Sequence, residues 1–356
     1  MKLIAAVGVV LALSSQPVAA DSHQFRVATL APSGSPWMDI LDKASAEITE
    51  QTHQRVTIKY YTGGQQGDEQ DYIRKIKLGQ LDGAAITSIG LAQIEPSILV
   101  LQLPMLFKTQ EEVDYVSDKM WPYFQKKFEK KGFRLADRGE LGWIYFFSKN
   151  KVTSVEDLRK QKLFTIGGDN LSGTLLDKLK LNAVPLGVPE VDAALTSGKI
   201  NACLSSPLGA IALQWYSKVK YMNSTPMVFG IGATVMSLDT EKKVSAEDRK
   251  TIEAIAKRSQ KKARAIIRKA NEDARKTLVR KGITIVDVPQ GMVDELTKVA
   301  LEVQTELIGK VYSKEELDMV LKYRDEFRAK HAAPAAKTDA AAKPEPAAKT
   351  VPAATK

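Results

Sequence analysis

Cysteine and histidine are almost absent from this 356-residue chain, which has one cysteine, Cys203, and three histidines. A single cysteine excludes an internal disulfide. Because Cys203 lies far from the N-terminus, a lipid-modified cysteine at the start of an exported protein is excluded too. Cys203 stands in an apolar segment with no histidine near it, which predicts a buried structural thiol. The fold is therefore expected to depend on ordinary hydrophobic cores.

Catalytic and metal-binding motifs are absent as well. The histidines are His23, His53 and His331; two lie near expected termini, and His53 lies in the polar turn "TEQTHQRV". The sequence has no phosphate-binding glycine loop, no nucleophile elbow and no cluster of metal ligands at usable spacing. These absences predict no catalytic residue, no metal and no cofactor, and they argue against an enzyme.

Long apolar runs are missing after the N-terminus, so no membrane-spanning helix is expected in the mature chain. The N-terminus has Lys2, an apolar run from Leu3 to Leu13, and small residues up to Ala20. This layout is typical of a secretory signal peptide. It predicts cleavage after Ala20 and a soluble protein outside the cytoplasm.

Positive charge is present in excess. The net charge is +10, and between Ser245 and Gly282 there are 13 Lys and Arg residues against five Asp and Glu. Such a block can indicate nucleic-acid binding, but the export signal argues against this partner. Apolar or small residues at a spacing of three or four instead predict one long amphipathic helix with a solvated basic face. Ser245 followed by Asp248 predicts its start, and Gly282 its end.

Strand and helix patterns alternate along the chain, which predicts mainly parallel α/β sheets covered by helices. Two such sets occur, and the apolar segment "TPMVFGIGATVMSL" is long enough to cross from one to the other. The expected fold is an α/β clamshell with crossing hinge strands and a long spine helix. The predicted divisions are a signal peptide (1–20), lobe I (21–145, with a return segment near 230–250), lobe II (146–229), the long helix (245–282), a C-terminal strand and helices (283–330) and a disordered Ala/Lys/Pro tail (331–356).

Three segments, in this order, resemble the solute-binding proteins of TRAP transporters, the DctP family. They are "VATLAPSGSPW" (27–37), "GGQQGDEQDYIRKIKLGQLDGAAITS" (63–88) and "GVPEVDAALTSGKINACLSSPL" (187–208). The resemblance covers roughly residues 25–325. It implies a two-lobed periplasmic binding protein that closes around one small molecule and delivers it to the membrane subunits of the transporter.

The sequence departs from the pattern of this family at the ligand site. The usual ligands of the family are carboxylates, held by an arginine in a Lys-Leu-Arg pattern, and Phe164 occupies that position here. A second basic position of the family falls at Ile144. Burying a carboxylate without a cationic partner is costly, whereas apolar surface gains ~25 cal/mol per Å² buried. The departure therefore favours an apolar or weakly polar ligand.

Two interpretations of these positions stay open. In the first, a hydrophobic or weakly polar molecule, such as a lipid-like acid or a sterol-like compound, binds between the lobes. In the second, Phe164 and Ile144 are core residues, and another residue such as Arg138 supplies the charge for a carboxylate. The predicted ligand-binding residues are Trp37, Thr87, Ser88, Ile144, Phe146, Phe164, Val188, Ser206 and Phe229.

The segment "SSPLGAIALQWYSKVKYM" (205–222) resembles a branch of the family that lacks the arginine. That branch is associated with a separate periplasmic tetratricopeptide-repeat protein, so the resemblance implies such a partner and a hydrophobic ligand. An alternative from another class is an envelope scaffold without a ligand, in which the basic helix and the lysine-rich tail hold anionic surfaces. No nucleic-acid partner is expected.

Overall fold

The computed structural model describes residues 22–168 and 170–331, which form two α/β lobes. The predicted signal peptide (1–20) lies outside the described residues, as does the predicted tail (331–356) apart from its first residue. That residue, His331, is the last residue of a helix.

The strands are β1 (His23–Thr29), β2 (Val56–Tyr61), β3 (Gly83–Thr87), β4 (Phe133–Ser148), β5 (Lys162–Thr165), β6 (Asn182–Pro185), β7 (Ala202–Ser205), β8 (Tyr221–Asn223), β9 (Val228–Ser237) and β10 (Thr284–Val286). The α-helices are α1 (Pro36–Gln51), α2 (Glu69–Lys77), α3 (Ser88–Ala92), α4 (Gln110–Lys130), α5 (Val155–Arg159), α6 (Asn170–Leu179), α7 (Val191–Ser197), α8 (Pro207–Ala212), α9 (Leu238–Glu241), α10 (Ala246–Arg280), α11 (Gln290–Glu306) and α12 (Lys314–His331). Short 3-10 helices span Pro96–Gln102, Val188–Glu190 and Trp215–Lys218.

Lobe I is built on a sheet with the strand order β2-β1-β3-β9-β4. β1 pairs in parallel with β2 and β3, while β9 is antiparallel to β3 and β4. In lobe II, β5 lies between β6 and β7 and is parallel to both. β4 pairs antiparallel with β7 and β8, and β10 adds to β8 in parallel. The prediction of mainly parallel sheets therefore holds only in part, because every pairing of β4 and β9 is antiparallel and the sheets are mixed.

The long strand β4 is shared by both lobes. Its first part pairs with β9 as far as Ile144, and from Tyr145 onward it pairs with β7. The predicted division between residues 145 and 146 therefore falls inside a continuous strand. Two covalently continuous lobes that share such a strand match the predicted clamshell.

Helix α10 is the predicted spine. Ser245 accepts a hydrogen bond from the backbone N–H of Asp248 at 3.0 Å, and the chain leaves the helix through Gly282 with a φ of +94°. Its 35 residues span about 52 Å at 1.5 Å per residue. Ile255 near one end packs into a core cluster of lobe I, and Leu278 near the other end packs into a cluster of lobe II.

Within the described ranges, every helix is too short or too polar to cross a membrane. The same residues contain no group of three or more His, Cys, Asp or Glu side chains placed to hold a metal ion. Cys203 on β7 is fully buried, as expected from its apolar segment, and this burial raises the pKa of its thiol to about 12. It is therefore an unreactive thiol in the core of lobe II.

Candidate ligand-binding site

A cavity of about 390 Å³ lies in the cleft between the lobes and extends into lobe I. The carboxyl ends of β1 and β3 face this cleft, through Thr29 and Thr87, as expected for a ligand site of an open α/β sheet. Lobe II contributes an apolar wall. This wall consists of Phe164, Ile166, Val188, Leu204, Leu213 and Trp215.

Phe164 and Ile144 are both part of this lining. Phe164 lies on β5 and is 6% exposed, and its ring meets that of Trp215 edge to face with centroids 5.7 Å apart. Ile144 lies on β4, close to the point where this strand passes from one lobe to the other. The two positions where the resembling family carries basic residues are thus apolar and belong to the same cavity.

Polar groups of lobe I reach the cavity at Thr87 and Glu69. The buried carboxylate of Glu69 accepts hydrogen bonds from the backbone N–H and the hydroxyl of Thr87, at 2.6 and 2.7 Å, and from the N–H of Gly90 at 2.9 Å. Burial raises the pKa of Glu69 to about 7, although these hydrogen bonds act in the opposite direction. Thr87 is therefore engaged in the start of α3, with its hydroxyl hydrogen used on Glu69.

Trp37, Val188 and Ser206 complete the predicted residues that line the cavity. The indole N–H of Trp37 donates to the backbone oxygen of Glu140 at 3.1 Å, which holds the ring against β4. Ser206 caps α8 by accepting from the N–H of Gly209 at 3.1 Å. Six of the predicted residues thus line the cavity: Trp37, Thr87, Ile144, Phe164, Val188 and Ser206. Their contact with a ligand stays a prediction.

Ser88, Phe146 and Phe229 do not line this cavity; the structure places them in the interior. The hydroxyl of Ser88 donates to Gln102 at 2.9 Å. Phe146 packs in a lobe II cluster with Val152 and Leu158. Phe229 is buried in the lobe I core, where it meets Trp143 edge to face with centroids 5.1 Å apart. Each of these three residues lies close to the cleft in the sequence, but its side chain points into a core instead.

Arg138, the alternative cation, does line the cavity. Its side chain is 1% exposed, and its Nη2 donates to Asp114 on α4 at 2.7 Å. Asp114 also accepts from Arg268 of α10 at 2.8 and 2.9 Å. Burial alone would raise the pKa of Asp114, but the bonds from Arg268 and Arg138 hold it at about 2. The Nε and Nη1 groups of Arg138 are buried without a hydrogen-bond partner among the described residues.

The two lobes touch each other across the cleft. The backbone N–H of Val188 in lobe II donates to Asp68 of lobe I at 3.0 Å. Gln70 of lobe I donates to the backbone oxygen of Gly167 at 3.3 Å. These contacts connect the N-cap and first turn of α2 with the segments that follow β5 and β6, so the two lobes are in contact across the cleft.

Comparison with known proteins identifies the family. The model for DctP, bacterial extracellular solute-binding protein family 7, matches residues 27–310. The chain belongs to this family. Its members are solute-binding components of transport systems and not enzymes. A solute-binding protein from Chromohalobacter salexigens is 24% identical over 290 residues, which cover 81% of this chain and 86% of that protein.

Solved structures of TRAP periplasmic solute-binding proteins have the same fold as this DctP-family chain. One from Xanthobacter autotrophicus, with bound β-D-galacturonate, aligns with a TM-score of 0.79 at 20% identity and covers 85% of this chain and 99% of its own. The sugar acid binding protein DctPAm from Advenella mimigardefordensis, in complex with galactonate, aligns with a TM-score of 0.81 at 18% identity and covers 86% and 99%. The expected two-lobed α/β fold is confirmed.

Several lining residues of this DctP-family site were missed from the sequence. Ile166 follows Phe164 by two positions, so the alternation of side chains along a strand could have indicated it. Trp215 gives no such signal, because it enters the cavity from a 3-10 turn that only tertiary packing places beside β5. Glu69 is the first residue of α2 and looks in the sequence like an ordinary first-turn carboxylate, yet it is 2% exposed.

Proposed function

We propose that this protein is the extracytoplasmic solute-binding subunit of a TRAP-type transporter and that it captures a hydrophobic or weakly polar small molecule between its lobes. The observation that carries the second part is the apolar lining at Phe164 and Ile144. Phe164 and Ile144 present hydrocarbon where a carboxylate-binding member would need a cation, and Trp215 extends this apolar wall beside Phe164. Membership in the DctP family supports the first part.

Desolvation favours an apolar ligand at this wall. When the lobes enclose a ligand, a carboxylate next to Phe164 would lose its water without gaining a charge-assisted bond. Apolar surface would instead gain from the same removal of water. The arginines that line the cavity, Arg138, Arg249 and Arg264, belong to β4 and α10 and not to the lobe II wall.

A second candidate function is that of a carboxylate-binding subunit with Arg138 as its cation. The unpartnered Nε and Nη1 nitrogens of this buried guanidinium favour it, because an acceptor oxygen would accept hydrogen bonds from them. The structural neighbours from Xanthobacter autotrophicus and Advenella mimigardefordensis hold galacturonate and galactonate. Against it stands the charge of Arg138, which Asp114 and Asp118 already neutralise at 2.7 and 3.4 Å.

Export, partners and localisation follow the same proposal. Residues 1–20 would direct the chain to the periplasm, where it would deliver its ligand to TRAP membrane subunits. The tetratricopeptide-repeat partner has no support in the structure or among the similar proteins and stays a prediction. A scaffold without a ligand stays the alternative from another class, and it predicts that no small molecule stabilises the protein.

Mass spectrometry of molecules released from the purified protein by denaturation tests the proposal directly. Thermal melts with a panel of apolar compounds and sugar acids provide the second measurement. A specific ligand at one hundred times its Kd adds about 2.7 kcal/mol to the free energy of unfolding. Stabilisation by apolar compounds alone supports the proposal, stabilisation by sugar acids alone supports the Arg138 candidate, and no stabilisation by either supports the scaffold.

A further inference from the structure

The cavity continues from the cleft into lobe I, between the sheet and the helices α1 and α10. We call this extension the lobe I compartment. From the sheet it is lined by Phe25, Ile58 and Met236. The helices facing these strands contribute mostly apolar or small residues, with polar ones from α10 among them: Ile40, Leu41, Ala44, Ile48, Ile252, Ala256, Ser259 and Ala263, and the polar Arg249, Glu253, Gln260 and Arg264.

The two faces of the lobe I sheet are packed differently. On the face covered by α4, side chains such as Ala84, Ala233 and Val235 belong to a continuous buried core. On the opposite face, the sheet packs against α1 and α10 through a second hydrophobic cluster. Met236 and Ile252 belong to this cluster and are only partly buried, although both lie between the sheet and the helices. Protein interiors are normally close-packed with few voids larger than a water molecule. The unfilled apolar layer is therefore suited to an additional apolar occupant.

Small side chains on the two helices create this space. Ala256 and Ala263 are seven residues apart on α10, so they lie on the same face two turns from each other. Ala44 of α1 lines the compartment as well. Larger residues at these positions would close the layer. The small side chains of Ala44, Ala256 and Ala263 therefore leave room in this layer.

We propose that the lobe I compartment binds the unbranched apolar chain of a single-chain, lipid-like molecule whose other end lies in the cleft beside Phe164. This inference rests on the proposed function and specifies its ligand class. A layer between a sheet and two helices accepts a flexible chain without displacing either side. At ~30 Å³ for a group the size of a water molecule, the whole cavity of about 390 Å³, cleft and compartment together, holds roughly a dozen non-hydrogen atoms.

Chain length is the property that tests this assignment. Binding of hexanoate, octanoate, decanoate and dodecanoate, and of the corresponding 1-alkanols, is measured by calorimetry below the micelle concentration. Each added methylene is expected to strengthen binding about fourfold until the compartment is filled. Equal or tighter binding of the alkanols indicates that the head group lies at the apolar wall rather than at a cation.

Ala256→Phe places a ring inside the compartment, and the matched control Ala254→Phe places the same ring on the exposed face of α10. The first variant is expected to weaken dodecanoate at least tenfold and to change hexanoate less than twofold. The control is expected to change neither. Should Ala256→Phe fold poorly, Ala44→Phe on the opposite wall makes the same test, with Ala46→Phe on the exposed face of α1 as its control.

The outcomes separate this inference from the proposed function. If hexanoate and dodecanoate bind equally well, or if both compartment variants bind dodecanoate like the wild type, the inference is overturned while an apolar ligand in the cleft still stands. The inference is also overturned, and the proposed function kept, if a compact, rigid sterol-like compound binds tightly while none of the alkanoates or alkanols binds. If no apolar compound binds at all, both proposals fail together.

Discussion

Phe164 packs edge to face against Trp215, with ring centroids 5.7 Å apart and ring planes at 77°. Both rings belong to the buried cluster of lobe II, and both also line the cavity. Phe164 is therefore a core residue that contributes to the wall of the site. The two interpretations of Phe164 from the sequence, core residue and site residue, do not exclude each other at this position.

Replacing Phe164 with arginine is expected to weaken an apolar ligand by a few kcal/mol. The guanidinium must be desolvated opposite Trp215 and the ligand, and the contact area of the ring is lost. Since each 1.4 kcal/mol changes Kd tenfold, the loss is about one hundredfold or more. The same variant is expected to gain measurable affinity for a simple carboxylate. Calorimetry on both proteins with both ligand classes measures this.

Phe164→Leu is the control for that substitution. It keeps an apolar side chain and removes the aromatic contact with Trp215, which is worth roughly 0.5–1.5 kcal/mol, so it is expected to weaken the ligand far less than arginine does. A wild-type protein that binds a sugar acid tightly, together with a Phe164→Arg variant of unchanged affinity, would contradict the apolar-ligand proposal. That result would direct attention to Arg138.

Local patterns in the sequence predicted the fold well where local interactions decide the structure. The spine helix begins at a serine cap and ends before a glycine, and both signals depend on residues within one turn of the helix end. Alternating strands and helices likewise predicted two α/β lobes. The extent of β4 was not predicted, because the partners of a strand come from distant parts of the chain.

The same limit explains the mixed result for the candidate site. Ile144 and Phe146 are two positions apart on β4, so their side chains are expected on the same face. Ile144 nevertheless lines the cavity, whereas Phe146 packs in a lobe II core. Between them, at Tyr145, the strand changes its partner from β9 to β7. The alternation rule holds for one sheet and does not carry across such a change. Arg138 was named from the sequence as a possible cation, but its ion-pair partners on α4 and α10 could not be foreseen.

Arg268 is expected to be important for stability because it forms ion pairs with two carboxylates. It donates to Asp114 on α4 and to Glu140 on β4, and the side chain of Glu140 is 1% exposed. Arg268→Leu would leave Glu140 buried without its cation, which costs about 3–5 kcal/mol. Chemical denaturation at neutral pH measures the change. The neighbouring Lys269→Leu, at an exposed ion pair, is expected to change stability by less than about 0.5 kcal/mol.

Glu69 is expected to make stability depend on pH near neutrality. Burial raises the pKa of its carboxyl from the ordinary 4.5 to about 7 in the folded protein. The folded state therefore binds a proton more tightly than the unfolded state does. The associated stability is fully present below pH 4.5 and is lost as the pH rises through about 7. At 1.36 kcal/mol per pKa unit, the total change approaches about 3 kcal/mol.

Glu69→Gln isolates this contribution, because the amide does not titrate. One acceptor oxygen is replaced by an NH₂ group beside N–H donors of Thr87 and Gly90, so the variant is expected to be less stable by about 1–3 kcal/mol. Its free energy of unfolding is expected to lack the decline between about pH 4.5 and pH 7. The control Glu50→Gln, at an exposed position, is expected to keep it. A decline that persists in Glu69→Gln would assign the pH dependence to another group.

Lobe closure can be tested at two adjacent glycines of the loop before α2. Both have positive φ, +58° at Gly63 and +80° at Gly64. A Cβ on Gly64 would lie 2.6 Å from Cγ of Pro189 in lobe II, whereas a Cβ on Gly63 would have no neighbour within 4 Å. The backbone cost of alanine is thus similar at the two sites, and the clash between lobes arises at one of them only.

Gly64→Ala is therefore expected to weaken ligand binding at least tenfold more than Gly63→Ala, because a ring carbon of proline cannot move aside as a flexible side-chain end would. Small-angle scattering is expected to give a smaller radius of gyration for the wild type and Gly63→Ala when ligand is added. For Gly64→Ala the decrease is expected to be reduced, since closure brings the new Cβ against Pro189. Thermal melts without ligand check that the two variants lose a similar amount of stability from the strained backbone. Equal affinities and equal scattering changes in the two variants would show that binding does not require the closed lobes, and the clamshell mechanism would then fail.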